Sequence, residues 1–201
     1  VALTYQATGN MLVMIIVTFA GGIFLMMCNC VLGLVFHVKS AMVAIVAMSV
    51  YSAITVFVVG AQPITVDYKI CKELEGNFRY IAFILYFGVC VILYHKTAIG
   101  RKLRFIGGNI NCAVQTGINE AKCIITAFIF AGVGVGLAGV FQILRTGNVA
   151  NNIGMGMGMD VMLATVLGGM SIFGGAKSNA FAGFIGAVTV TVLNKGLLMM
   201  G

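Results

Sequence analysis

Between Met11 and Phe36 the chain carries no Asp, Glu, Lys, Arg or His. Such a stretch is longer than the ~20 apolar residues a helix needs to cross the hydrocarbon core of a bilayer. Further apolar runs follow at residues 41–60, 80–94, 123–144, 159–173 and 180–200, the last two interrupted only by Asp160 and Lys195. The third and fifth are short for a complete crossing and fit a tilted, broken or re-entrant segment. Hydrocarbon offers no water to satisfy the backbone, so a spanning segment must be a helix or part of a closed barrel. The alternating pattern of a barrel strand is absent, and all six runs read as helices. The expected fold is an all-α integral membrane protein, a polytopic bundle of transmembrane helices forming one domain over residues 1–201. Residues 1–10 read as the end of an earlier helix.

Composition agrees. Only 8% of residues are charged and 61% are hydrophobic, against roughly 25% charged in a soluble domain. That leaves too little polar surface to cover a core in water. The 27 glycines suit a bundle whose backbones approach closely. The basic residues set the orientation. With the 95–122 loop in the cytoplasm, Lys39, Lys96, Arg101, Lys102, Arg104, Lys122 and Lys177 lie inside, seven of the twelve Lys and Arg. Lys69, Lys72, Arg79, Arg145 and Lys195 fall outside, with four of the five acids. Four inside charges, from Lys96 to Arg104, crowd directly after a span, as cytoplasmic loops do. This distribution accounts for the net charge of +7. Nucleic-acid binding is not expected, because no basic face with interleaved aromatics exists.

Two glycine motifs invite a nucleotide-binding reading, and neither fits its context. Gly134, Gly136 and Gly139 spell G-x-G-x-x-G, and Asp160 follows at about the spacing of a ribose-binding acid. A dinucleotide turn needs a strand before it, whereas these glycines lie inside an apolar run. Gly132 and Gly136 form a small-xxx-small face instead, which permits close helix crossing, with Gly139 continuing it. The stretch from Gly169 to Gly174 resembles a Walker loop, but Gly175 stands where Lys is required. The chain is expected to bind no nucleotide.

Catalytic and metal chemistry are also not expected. Cys28, Cys30, Cys71, Cys90, Cys112 and Cys123 form no C-x-x-C and read as buried structural thiols. His37 and His95, at the ends of apolar runs, mark an interface rather than a base. No clustered His, Asp, Glu or Ser site suggests an enzyme. An ion-coupled secondary carrier would need ionisable residues within the spans, and these are nearly absent.

Two segments, residues 103–142 and 159–201, carry a family resemblance. The first holds Gly107, Gly108, Asn109, Ala113, Thr116, Gly117 and Ile118, then Gly136, Leu137, Ala138 and Gly139. The second holds Asp160, Ala164, Val166, Leu167, Gly168, Gly169, Ser171, Gly174 and Gly175, then Ile185, Gly186, Ala187, Leu193, Asn194 and Gly196. In this order and spacing they resemble the permease subunits of bacterial ATP-binding-cassette importers for monosaccharides, the ribose, galactose and xylose type. Residues 1–94 fit mainly by hydropathy. Asn111 and Val114 stand where that family usually has an acid and a base, Met170 where it has Thr, and Lys195 where it has Asn. The family has about ten spans, so the resemblance implies a central to C-terminal portion of a longer permease.

The resemblance implies a multi-pass subunit of the bacterial cytoplasmic (inner) membrane that is not itself an enzyme. It would pair with a second permease copy and dock a cytoplasmic ATP-binding subunit, which holds the ATP and magnesium. An extracytoplasmic sugar-binding protein would deliver the solute, a monosaccharide or, within the same family, a nucleoside or autoinducer-type furanose. Gly107, Gly108, Asn109, Ala113, Thr116, Gly117 and Ile118 would form the helix that couples to the ATPase. The residues support such an element: two glycines to end the incoming helix, Asn109 as an N-cap and Gly117 as a stop. The translocation path is assigned to Asp160, Thr165, Gly168, Gly169, Ser171 and Asn194. Asn29, Ser49, Ser52, Thr55, Gln142, Thr189 and Thr191 are further polar groups within the spans. Asp160 is expected to cap a helix that begins near Val161.

Overall fold

The computed structural model describes residues 11–36, 38, 40–59, 64–65, 77–146, 148–149, 156–170 and 180–200. Within them run helices α1 (Met11–Val35), α2 (Ser40–Val59), α3 (Asn77–Lys96), α4 (Ala98–Gly108), α5 (Ile110–Gln115), α6 (Glu120–Thr146), α7 (Met157–Leu167) and α8 (Ala180–Met200). Two short strands, β1 (Ile64–Thr65) and β2 (Asn148–Val149), pair antiparallel, Ile64 opposite Val149 and Thr65 opposite Asn148. Two residues are too few to leave a readable alternation, so the pattern of hydrophobicity does not reveal this pair.

Among the described residues three helices are long and apolar enough to cross a membrane, lying in α1, α6 and α8. The count becomes four if α3 and α4, bent by 67° at Thr97, are taken as one broken span. The apolar parts of α2 and α7 are shorter. The side chains on these helices are largely exposed: Phe24, Phe57, Ile84 and Leu198 present most of their surface outward. In water such surface would cost about 25 cal/mol per Å²; in lipid it is the solvated face.

The chain divides into two compact units, residues 1–86 with 124–153, and residues 87–123 with 154–201. In the first, α1 crosses α6. Met14, Val140, Ile143 and Leu144 form its buried core, with Ile15, Phe19 and Phe141 packed against it. Glycine sets the approach at this crossing. A Cβ on Gly22 would fall 2.8 Å from the Gly132 carbonyl oxygen and 2.9 Å from the Gly136 nitrogen. One on Gly132 would fall 2.7 Å from the Ile23 Cα, and one on Gly136 3.0 Å from the Phe19 Cα. Gly139 faces the Thr18 methyl. Backbones this close gain dispersion contacts, which drive helix association where hydrophobic exclusion from water is absent. Gly134 serves a different neighbour. Its bare Cα leaves room for the Tyr86 hydroxyl, which donates to the Phe130 carbonyl at 2.9 Å.

In the second unit α7 packs on α8. The buried Ala164 and Gly186 let the backbones touch: a Cβ on Gly186 would collide with the Ala164 carbonyl, and one on Gly168 with that of Ala182. Phe87 packs edge-on against Phe181, ring centroids 6.1 Å apart, and lies 5.4 Å from Phe184.

Candidate functional site

The residues expected to couple to an ATPase form a short helix with a cap at each end. Helix α4 stops at Gly108, and Asn109 takes an extended backbone. Its Oδ1 accepts from the amides of Asn111 (3.0 Å) and Cys112 (3.4 Å), satisfying donors that α5 cannot satisfy internally. At the other end Gly117 has φ +77°, a conformation that costs glycine nothing. The Gly117 amide then donates to the Val114 carbonyl (3.0 Å) and the Ile118 amide to that of Ala113 (3.2 Å). This is a complete Schellman cap. The Thr116 hydroxyl donates to Ala113 as well, at 2.8 Å. Ala113 is buried, whereas Ile110, Asn111, Cys112, Val114 and Gln115 are exposed. The element is thus anchored by one small residue and offers the rest of its surface outward. Asn119 then accepts from the Lys122 amide (3.2 Å) and caps α6.

The end of α7 repeats this solution. Gly169 has φ +78°; its amide donates to Val166 and the Met170 amide to Thr165, both at 2.9 Å. Gly168 and Gly169 therefore have separate duties, close approach to α8 for the first and the left-handed cap for the second. Ser171 lies outside the described residues, as do His37, Cys71 and the rest of the Walker-like stretch.

Asp160 does not cap a helix that begins near Val161. Helix α7 begins at Met157 after Gly156, so the carboxylate sits within the first turn, where it still faces the positive end of the helix. Its Oδ1 accepts from the Asn194 Nδ2 across the α7–α8 contact, at 3.4 Å. Two residues assigned to the translocation path are thereby brought together. The other polar groups are more self-contained. The hydroxyls of Thr55, Thr165, Thr189 and Thr191 each donate to a carbonyl of their own helix, at 2.7 or 2.8 Å. Burial of the thiols also differs from expectation: Cys30 and Cys123 are buried, Cys28 and Cys90 half-buried, and Cys112 exposed on α5. Among the described residues no cluster of three His, Cys, Asp or Glu could hold a metal ion.

Sequence reasoning missed a clasp at the α3–α4 bend. Arg104 Nη2 donates to the Tyr94 carbonyl (3.2 Å) and to His95 Nδ1 (2.8 Å), while its Cζ lies 4.4 Å from the centroid of the Tyr94 ring. An imidazole nitrogen that accepts from a guanidinium leaves the ring proton on Nε2. Gly100 makes the bend possible, because a Cβ there would strike the Tyr94 and Leu93 carbonyls. Arg104 was read only as one of four basic residues marking the cytoplasmic side. The available signal was His95 at the end of a span, nine residues before Arg104 in the chain.

Long apolar helices packed through glycine, with a bent helix and a short capped one between two of them, are those of a multi-pass membrane protein. The chain belongs to the family described as branched-chain amino acid transport system / permease component, whose profile matches residues 1–201. Among curated proteins it is 33% identical over 75% of its length to the xylose transport system permease protein XylH of Haemophilus influenzae, covering 38% of that protein. It is 33% identical over 63% of its length to the galactose/methyl galactoside import permease protein MglC of Salmonella typhimurium, covering 38%. It is 27% identical over 82% of its length to the ribose import permease protein RbsC of Escherichia coli, covering 54%. The chain thus spans about half the length, or less, of these relatives. No solved structure matches it.

Proposed function

We propose that the full protein is the membrane-crossing permease subunit of an ATP-driven importer in the bacterial cytoplasmic membrane, carrying a monosaccharide or a related small polar solute. The observation that carries this reading is helix α5, capped at both ends, with Ala113 buried, and set in the chain between the bent α4 and the start of α6. A short rigid element in that place can pass closure of an ATPase to the spans as a rigid-body push. The solute class comes from the relatives, named for xylose, galactose and ribose.

A sugar hydroxyl moved unpaired from water into an alkane-like medium costs on the order of 4–8 kcal/mol. A permease lowers that barrier with a transient polar cavity, alternately open to each side. Asp160, Thr165, Ser171 and Asn194 supply polar groups for such a path, and Gly168 and Gly169 let α7 end beside α8. Asp160 is positioned to accept from a sugar hydroxyl in place of Asn194. The partners in this reading are a cytoplasmic ATP-binding subunit that binds ATP and magnesium, an extracytoplasmic sugar-binding protein and a second permease copy.

Cys112 provides the test. In vesicles of the full-length protein, a membrane-impermeant maleimide should label Cys112 from the cytoplasmic side, and the purified ATPase subunit should protect it. Val114→Glu should abolish both protection and ATP-driven sugar uptake while the spans stay folded. Labelling unaffected by the ATPase, with uptake driven instead by an ion gradient, would overturn the proposal in favour of a secondary carrier.

A further inference from the structure

Helix α4 presents an exposed face made of Arg101, Lys102 and Phe105. The helix is strongly amphipathic; its opposite side, Ile99, Leu103 and Ile106, is half-buried. Phe105 leaves 64% of its surface open, although it neighbours Arg104 in the bend clasp. Arg101 Nη1 donates to the Lys96 carbonyl at 3.4 Å, a long bond that leaves its other donors outward. An aromatic ring one turn from two cations, on one face of a helix, is poorly suited to water. It suits the edge of a bilayer, where the ring enters the acyl boundary and the cations meet anionic headgroups.

With α3 embedded in the membrane, the bend keeps α4 close to the bilayer edge. Helix α3 ends at Lys96, and α4 departs at 67° after one intervening residue. Membrane helices tilt by about 20° on average, so a turn of this size lays α4 within about 45° of the membrane plane. The Arg104 clasp and the buried Gly100 hold the turn from inside. The chain therefore cannot carry Arg101 and Lys102 far from the headgroups.

We propose that α4 is an interfacial helix whose Arg101 and Lys102 bind anionic phospholipid headgroups of the adjoining leaflet, with Phe105 seated at the headgroup–acyl boundary. The attachment fixes the direction of α4 and so the position of α5, which begins after the single residue Asn109. The proposal rests on α3 being membrane-embedded and is independent of the solute carried.

The sequence contains no Trp, so Phe105→Trp adds a fluorophore at this face, read as a difference from the unsubstituted full-length protein in vesicles. The expected result is quenching by phospholipid brominated near the headgroup, stronger for brominated phosphatidylglycerol than for brominated phosphatidylcholine at equal mole fraction. Each cation at an anionic surface should contribute about a fivefold preference; Arg101→Gln with Lys102→Gln should erase it. Native mass spectrometry of the protein with Phe105 intact provides a second measure: phosphatidylglycerol retained by the parent should be lost in the double variant. Equal quenching by both lipids, retention unchanged by the double variant, or shielding only on addition of the ATPase subunit would overturn the proposal.

Discussion

Nη2 of Arg104 lies 2.8 Å from Nδ1 of His95, so a cation from α4 is held by an imidazole in the last turn of α3. The same guanidinium stacks on Tyr94 and reaches its carbonyl, closing the bend from three directions. The nitrogens Arg104 Nε and His95 Nε2 are buried and have no hydrogen-bond partner among the described residues. The clasp therefore depends on the contacts it does make.

Removing the guanidinium should loosen the bend. Arg104→Met forfeits two charge-assisted hydrogen bonds, each worth about 1.5–3 kcal/mol, and a cation–π contact of about 0.5–1 kcal/mol. Hydrogen exchange should show faster opening of the amides of residues 97–104, with α8 unaffected. Arg104→Lys keeps the charge but not the fork, and should restore only part of the protection.

Glycine substitutions should separate contact from conformation. Gly186→Ala drives a methyl into the Ala164 carbonyl and should destabilise the α7–α8 pair by about 1–3 kcal/mol. Gly196, on the same helix, has nothing within 4 Å of an added Cβ. There alanine should be neutral or stabilising by up to about 1 kcal/mol, because it is the better helix former. Thermal unfolding in detergent of the two single variants measures the contrast.

The two caps of α5 should contribute comparable amounts by different routes. Asn109→Ala removes the acceptor for two amides and should cost about 0.5–2 kcal/mol. Gly117→Ala meets open space, so its cost, about 1 kcal/mol, comes from the positive φ alone. Either change should lower exchange protection across residues 110–118, and Gly117→Asn should be milder than alanine, since Asn tolerates the left-handed region.

The Asp160–Asn194 contact is long, at 3.4 Å, and exposed. A double-mutant cycle of Asp160→Ala and Asn194→Ala should therefore give a coupling of no more than about 0.5 kcal/mol in stability. Uptake should fall much further than stability if these groups serve the solute. Matched losses in the two measurements would confine the pair to helix packing.

Several features were legible without coordinates because each depends on neighbours in the chain. Apolar runs mark helices wherever hydrocarbon demands a satisfied backbone, and Asn109 and Gly117 announce a short capped helix by local hydrogen bonding and by one left-handed residue. The small-xxx-small spacing of Gly132 and Gly136 shows that a helix face is bare. It does not name Gly22, Ile23 and Phe19 as what fills it.

Other features belong to packing. Asp160 lies inside the first turn instead of at the cap because α7 starts at Met157, directly after Gly156. Likewise, a row of basic residues reads as a topology signal in one dimension. The bend at Thr97, which Gly100 permits, turns Arg104 inward to His95 and leaves Arg101 and Lys102 outward. The sequence by itself determined the long apolar helices, the two caps of α5 and a membrane setting, since those outcomes follow from hydropathy and short-range hydrogen bonds. Tertiary structure alone decided which glycines meet, where the span bends and which charges are enclosed, because those depend on contacts between residues far apart in the chain.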